Sequence, residues 1–307
     1  MPQNKIIFLI GPTAVGKTEI AIALAKKLNG EIISCDSMQV YKEVSIASNK
    51  PSHKQLREIP HHLIGHVLVA KSFDAASFRK QATTVLAKIF RKNKVPIIAG
   101  GSGLYMQVLL DGVFEGLRAD VKVRKKLEEF AAQKGADALY HKLKECDSAA
   151  AAKIHPHDRR RLIRALEVFE LKQQPISQLQ KIRQGLWGHY DIHIFALNRH
   201  REELYQRINE RVEKMFEHGI INEIKILLKK KLSPTAGSMI GLKEIGGYLR
   251  LEYDLPRAKY LLQRNTRHFA KRQLTWFRKD KRLHWIMILP NDTAETIVNE
   301  IVGDLAS

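Results

Sequence analysis

Apolar residues in this chain gather into short unbroken runs separated by helical stripes. The runs Ile6–Ile10, Glu31–Cys35, Val95–Ala99, Ile192–Leu197 and Leu283–Leu289 read as β-strands. Helical periods separate them, which predicts an open, mainly parallel α/β sheet. From Val113 to Tyr190 the pattern changes to helical periods with many charges and no strand. Residues 113–190 therefore read as an all-helical insertion in a core built from residues 1–112 and 191–307.

Three helices are legible individually. His155-Pro156-His157-Asp158 is a start signal, after which Leu162, Ala165, Leu166 and Phe169 repeat as a buried stripe with Arg160, Arg161 and Arg164 off it. Leu204, Ile208, Val212, Met215 and Phe216 define a second helix ending near Gly219, with Arg207 and Arg211 on its other face. Like charges at that spacing repel unless an anion or carboxylates such as Glu203 and Glu210 sit near them. In the C-terminal run, Leu262, Phe269, Leu274 and Phe277 take one side, and Arg264, Arg267, Lys271 and Arg278 the other.

The first strand runs directly into Gly11-Pro12-Thr13-Ala14-Val15-Gly16-Lys17-Thr18, and a helix with Ile20, Leu24 and Leu28 on one face follows. This is the spacing and the context of a P-loop, the phosphate-binding turn of ATP-binding and other nucleotide-binding folds. Glycines let successive N–H groups converge on phosphate oxygens, and the helix N-terminus adds its positive end. Lys17 supplies a point charge, and Thr18 a hydroxyl for Mg²⁺.

Charge extends the picture to a large polyanion. Lys and Arg total 52 against 32 acidic residues, a formal charge of +20. From Arg257 to Arg282 ten residues are basic and one, Asp280, is acidic. A solvated face usually mixes signs, so nucleic acid is the expected partner, with no basic amphipathic membrane anchor and no transmembrane length in sight. Two cysteines, Cys35 and Cys146, build neither a disulfide framework nor a structural zinc site, which fits the cytoplasm.

Phosphate-loop hydrolases need an acidic residue at the end of a second apolar strand. Here Val95–Ala99 runs into Gly100-Gly101-Ser102-Gly103, with no carboxylate. The acid stands instead in IISCDSMQVYK, where Asp36 falls at the carboxyl end of the strand after the loop's helix, at the crevice of the sheet. It can cap the next segment, hold Mg²⁺ or act as a general base. Ser37, Gln39 and Tyr41 add groups suited to reading a base edge or a sugar.

The ordered series GPTAVGKT, DSMQVYK, NKPS, HHLI, GGSGLYMQVLLDG, HPHDRRRLIRALEV, IGLKEI and RNTRHFAKRQLTWFRKD resembles the tRNA dimethylallyltransferases, also called tRNA isopentenyltransferases. The resemblance implies a P-loop NTPase-like core and transfer of the prenyl group of dimethylallyl diphosphate to the exocyclic amine of the adenosine 3′ of the anticodon. By that likeness Gly11, Pro12 and Thr13 to Thr18 line the donor site, Lys17 and a Mg²⁺ held in part by Thr18 neutralise the departing diphosphate, and Arg211 is a second clamp. Asp36 matches the catalytic aspartate, and Ser102 keeps a hydroxyl where the family often has threonine. The implied tRNA anticodon stem-loop contacts are Asp36, Ser37, Met38, Gln39, Ser102, Arg124, the run Arg160, Arg161, Leu162, Ile163 and Arg164, and the run Met239, Ile240, Gly241, Leu242, Lys243 and Glu244. A cytoplasmic monomer is expected.

The sequence departs from the family pattern at ASNKP (Ala47–Pro51), at Gly65 after HHLI, and at Leu242 in GLKE. Three other readings remain: a small-molecule or nucleotide kinase, an adenylate isopentenyltransferase acting on free nucleotide, and an RNA-binding module without catalysis. The basic C-terminal helix argues against the first. The insertion with Arg124 and Arg160–Arg164 argues against the second, and the complete set Lys17, Thr18 and Asp36 against the third.

Overall fold

The structure, a computed structural model, describes residues 4–113 and 120–306; the part of the expected insertion at residues 114–119 lies outside them. Its sheet has six strands, β1 (Lys5–Ile10), β2 (Gly30–Cys35), β3 (His61–His62), β4 (Val95–Gly100), β5 (Asp191–Asn198) and β6 (His284–Met287). The order is β3-β2-β4-β1-β5-β6, and every neighbouring pair is parallel. Parallel strands covered on both faces have no polar side, which is why β1 and β2 read as continuous apolar runs rather than alternations. Ile7, Leu9, Ile32, Ile97, Phe195 and Leu197 are buried with Ile20 and Leu24 from the helix after β1. The short strand β3 carries no apolar run and was not legible, and β6 is shorter than the predicted 283–289.

Two compact units emerge, Met1–Leu109 with Trp187–Ser307, and Leu110–Leu186. The first holds the sheet and the helices α1 (Lys17–Lys27), α2 (His53–Glu58), α3 (Ala75–Arg91) and α4 (Gly103–Leu110). The second holds α5 (Val121–Lys134), α6 (Ala136–Cys146), α7 (Ser148–Ala151), α8 (Arg159–Lys172) and α9 (Ile176–Leu179). The chain then returns to the first unit with α10 (Arg201–Glu217), α11 (Ile220–Leu228), α12 (Leu242–Leu249), α13 (Leu255–Phe277) and α14 (Ala294–Asp304).

The second unit has its own core, with Leu127, Leu139, Leu143, Leu162 and Leu166 buried together. Asp158 caps α8, its side chain accepting the Arg161 N–H at 3.2 Å. No helix among the described residues is long and apolar enough to cross a membrane.

The stripe of α13 differs from the predicted one. Ala258, Leu262, Ala270, Gln273 and Phe277 are buried, whereas Phe269 stands exposed with the Arg272 guanidinium 5.8 Å over its ring. A buried glutamine breaks the apolar count, and counting only apolar residues rotates the inferred face.

Candidate active site

The phosphate loop forms because β1 ends against β5 and α1 begins directly after Gly16. Gly16 has φ 109°, a left-handed conformation that costs glycine nothing, and it caps α1 without a side chain. The first N–H groups of the helix are therefore not consumed by a capping side chain, the arrangement that suits an anion. Ala14 also adopts a left-handed φ of 64°.

One segment holds three consecutive loop residues from outside. Arg199 Nε donates to the Val15 carbonyl at 3.0 Å, Arg207 Nε to the Ala14 carbonyl at 2.9 Å, and Arg211 donates to the Thr13 hydroxyl at 2.6 Å. Arg199 follows β5 directly, and Arg207 and Arg211 lie on α10, whose stripe of Leu204, Ile208 and Val212 is buried. The spacing read as repulsive is accommodated because each arginine has its own oxygen, and Glu203 pairs with Arg199. The Nε of Arg211 is buried without a partner, a donor to spare for an anion.

Lys17 folds back over the loop, donating to the carbonyls of Gly11 at 2.9 Å and Pro12 at 2.6 Å. Dehydration lowers its pKa to about 7, Asp36 pulling it back up and Arg211 pushing it further down. Dehydration likewise lowers Arg211 to about 10, again opposed by Asp36. The locus is thus cationic, crowded and poorly hydrated, and it gains by taking in a multivalent anion.

Asp36 leaves β2 beside this locus. Register pairs Cys35 with Gly100, so Asp36 and the Gly101–Ser102 turn emerge from adjacent strands, and Ser102 N–H donates to the Cys35 carbonyl at 3.1 Å. One oxygen of Asp36 accepts from the N–H groups of Met38 at 2.8 Å and Gln39 at 3.3 Å, which fixes the carboxylate on its own turn. Gln39 is anchored by Ser34 and by the carbonyls of Ser48 and Asn49. The ASNKP departure lies in that support, with Asn49 at a φ of 49° that asparagine tolerates well. Gly65 likewise adopts φ 59°, and Leu242 is buried at the start of α12. Thr18 and Asp36 offer the hard oxygens Mg²⁺ prefers, but among the described residues no group of three or more acidic, histidine or cysteine side chains forms a metal cage. A divalent ion would complete its shell with water and phosphate oxygens.

The set of residues expected to face RNA narrows. Leu162, Ile163, Met239, Leu242 and Glu244 are buried, so their side chains serve packing and capping. Glu244 accepts from the Gly241 N–H at 2.7 Å and from Asn265 at 2.5 Å. Arg160 and Arg161 are exposed on the second unit. Arg124 and Arg164 instead converge on Glu167, which is fully buried and also accepts the Asp120 N–H at 2.8 Å. Burial alone would raise the pKa of Glu167, but these bonds outweigh it and hold the carboxyl below its usual range. In the first unit Lys271 and Arg272 are exposed on α13, while Arg267 bonds Asn209 at 2.6 Å and lies over the Tyr205 ring.

The sequence reading missed Arg199, Glu167 and Gln273. Gln273 is the most central, since it bonds both Thr13 and Gly101. Its signal was available as a polar residue standing where the stripe 262, 266, 270, 273, 277 required burial.

Residues 39–280 match the family described as IPP transferase. The chain is 43% identical over 295 residues to the tRNA dimethylallyltransferase of Halothermothrix orenii, covering 95% of this chain and 90% of that one. It is 45% identical over 285 residues to the protein of that name from Heliobacterium modesticaldum, covering 91% and 88%. Its fold is similar to the full-length tRNA isopentenylpyrophosphate transferase of Bacillus halodurans, with TM-score 0.71, 38% identity and coverage of 99% and 97%. It is also similar to a eukaryotic dimethylallyltransferase acting on tRNA, with TM-score 0.81, 28% identity and coverage of 98% and 80%.

Proposed function

The chain belongs to the IPP transferase family, the tRNA dimethylallyltransferases, and from that membership we propose that it moves the dimethylallyl group of dimethylallyl diphosphate to the exocyclic amine of the adenosine 3′ of the tRNA anticodon, releasing diphosphate. The observation that carries this reading is the pairing of a cationic phosphate loop, held by Arg199, Arg207 and Arg211, with the turn-anchored carboxylate of Asp36 after the carboxyl end of β2, which β4 separates from β1. A leaving diphosphate needs the first, and a weakly nucleophilic amine needs the second.

The residues divide the work. The loop Thr13 to Thr18 lines the diphosphate site, with the N–H groups after Thr13 binding the phosphates, and Lys17 and Arg211 offset the negative charge that grows there as the allylic carbon–oxygen bond breaks. Lys17 exchanges the carbonyls of Gly11 and Pro12 for phosphate oxygens. Mg²⁺, held by Thr18, supplies further neutralisation of the leaving group when bound. Asp36 orients the exocyclic amine and takes its proton as the new carbon–nitrogen bond forms. The Ser102 hydroxyl contacts substrate beside Asp36. Because the adenosine must leave its stack, Met38 and Gln39 line its path, and the exposed basic residues grip the phosphate backbone of the anticodon loop.

Incubation with dimethylallyl diphosphate, Mg²⁺ and bulk tRNA should yield a prenylated adenosine identified by nucleoside mass. Unmodified tRNA, prenylation of free AMP with equal efficiency, or steady phosphoryl transfer from ATP would each remove this reading.

A salt titration tests the RNA grip. Each phosphate neutralised releases condensed counterion, so removing contacts should flatten the slope of log affinity against log salt by about one unit per lost contact. Arg160→Ala with Arg161→Ala, and Lys271→Ala with Arg272→Ala, should each do so and leave diphosphate affinity unchanged. Arg164 is a poor target, because its loss takes a partner from the buried Glu167. Slopes equal to wild type in both double variants would disprove the contacts.

A further inference from the structure

Gln273 is 8% exposed on the inner face of α13, and its amide joins two segments of the site. Its Oε1 accepts the Thr13 N–H at 2.9 Å, and its Nε2 donates to the Gly101 carbonyl at 2.8 Å. These partners fix the amide orientation, since an N–H requires an acceptor and a carbonyl a donor. Thr13 is also the residue whose hydroxyl Arg211 engages, and Gly101 precedes Ser102.

We propose that Gln273 is a positioning residue for prenyl transfer, setting the spacing between the phosphate loop and the Gly101–Ser102 turn. Packing alone does not call for an amide at this position. The other buried residues of α13, Ala258, Leu262, Ala270 and Phe277, are apolar, and a buried side chain of that kind would cost less to dehydrate. An amide belongs there because it satisfies two peptide groups that carry opposite halves of the site. The close approach is built from both sides, for a Cβ on Gly101 would collide with Nε2 of Gln273. Reacting atoms displaced by about 1 Å can lose 10²-fold in rate, so a link across this gap bears on chemistry as well as on folding.

The proposal rests on the phosphate loop being the diphosphate site, and the controls separate the two ideas. Gln273→Met keeps length and apolar bulk while removing both hydrogen bonds. Gly101→Ala leaves α13 intact and pushes the flexible end of Gln273 aside. Inorganic diphosphate binding in Mg²⁺ by calorimetry, single-turnover prenylation at saturating donor and tRNA, and thermal melting would be measured for both, with Lys17→Ala alongside. At a temperature well below the melting transition, both variants should slow single turnover by about 10-fold or more and weaken diphosphate binding, while tRNA affinity holds. Wild-type rate and diphosphate affinity in Gly101→Ala overturn the proposal, even where Gln273→Met does not fold. A lowered melting point with an unchanged rate would make Gln273 structural only. If Lys17→Ala binds diphosphate as wild type does, the reading of the loop fails instead.

Discussion

Replacing Asp36 with asparagine slows single-turnover prenyl transfer by about 10²-fold or more, the usual scale for losing a general base, and leaves tRNA affinity close to wild type. The substitution is informative because asparagine can keep the geometry. The oxygen that accepts from Met38 and Gln39 has its counterpart in the amide, so the turn survives. What disappears is the capacity to accept a proton from the amine, together with a negative charge that supports the protonated forms of Lys17 and Arg211. The two losses can be told apart. Diphosphate affinity reports the charge, and the rate at saturating donor reports the base. If single turnover stays at the wild-type rate, Asp36 is a turn cap and the base lies elsewhere.

Lys17→Ala abolishes most of the turnover and weakens diphosphate binding, with a rate loss of about 10²–10³-fold if its charge acts on the leaving group as an oxyanion donor does. Its pH behaviour follows from the value of about 7 set first by dehydration. Between pH 7 and the ordinary lysine value of 10.5, the empty folded protein binds fewer protons at this site than the unfolded chain. The lysine's contribution to stability therefore rises with pH through that window and is most unfavourable below it. A bound diphosphate favours the ammonium and reverses the shift. At pH 8 to 9 wild type should take up more protons on binding diphosphate than Lys17→Ala does, measured by calorimetry in buffers of different protonation enthalpy. Equal uptake would mean that Lys17 does not meet the phosphate.

Much of this site was legible along the chain because phosphate binding is written locally. Gly11 to Thr18 lie within one turn, and β1 and α1 flank them by simple periodicity. Asp36 was found through the rule that strand ends of a parallel sheet share a crevice. The residues that hold the loop were harder to find. Arg199, Arg207 and Gln273 act over long separations: strand order alone sets β5 beside β1, and only the tertiary fold brings Gln273 of α13 to the turns that follow β1 and β4. Glu167 was unreadable for another reason. A glutamate on an arginine-rich helix looks like surface, and only the packing of α5 against α8 turns it into a buried anchor. In the same way Ile163, read within a basic run, joins Leu162 of the expected stripe in the core.

The bonds that complete the loop span 260 residues from Thr13 to Gln273 and 198 residues from Thr13 to Arg211. During synthesis the N-terminal portion emerges first, so a ribosome-bound chain carries the whole glycine-rich turn long before the helices that brace it exist. Parallel pairing and distant contacts form late because loop closure must precede them. The donor pocket is accordingly among the last parts to mature. A nascent chain halted before Arg201 presents the motif without α10 or α13, and retention on immobilised diphosphate should appear only as chains are extended through these helices.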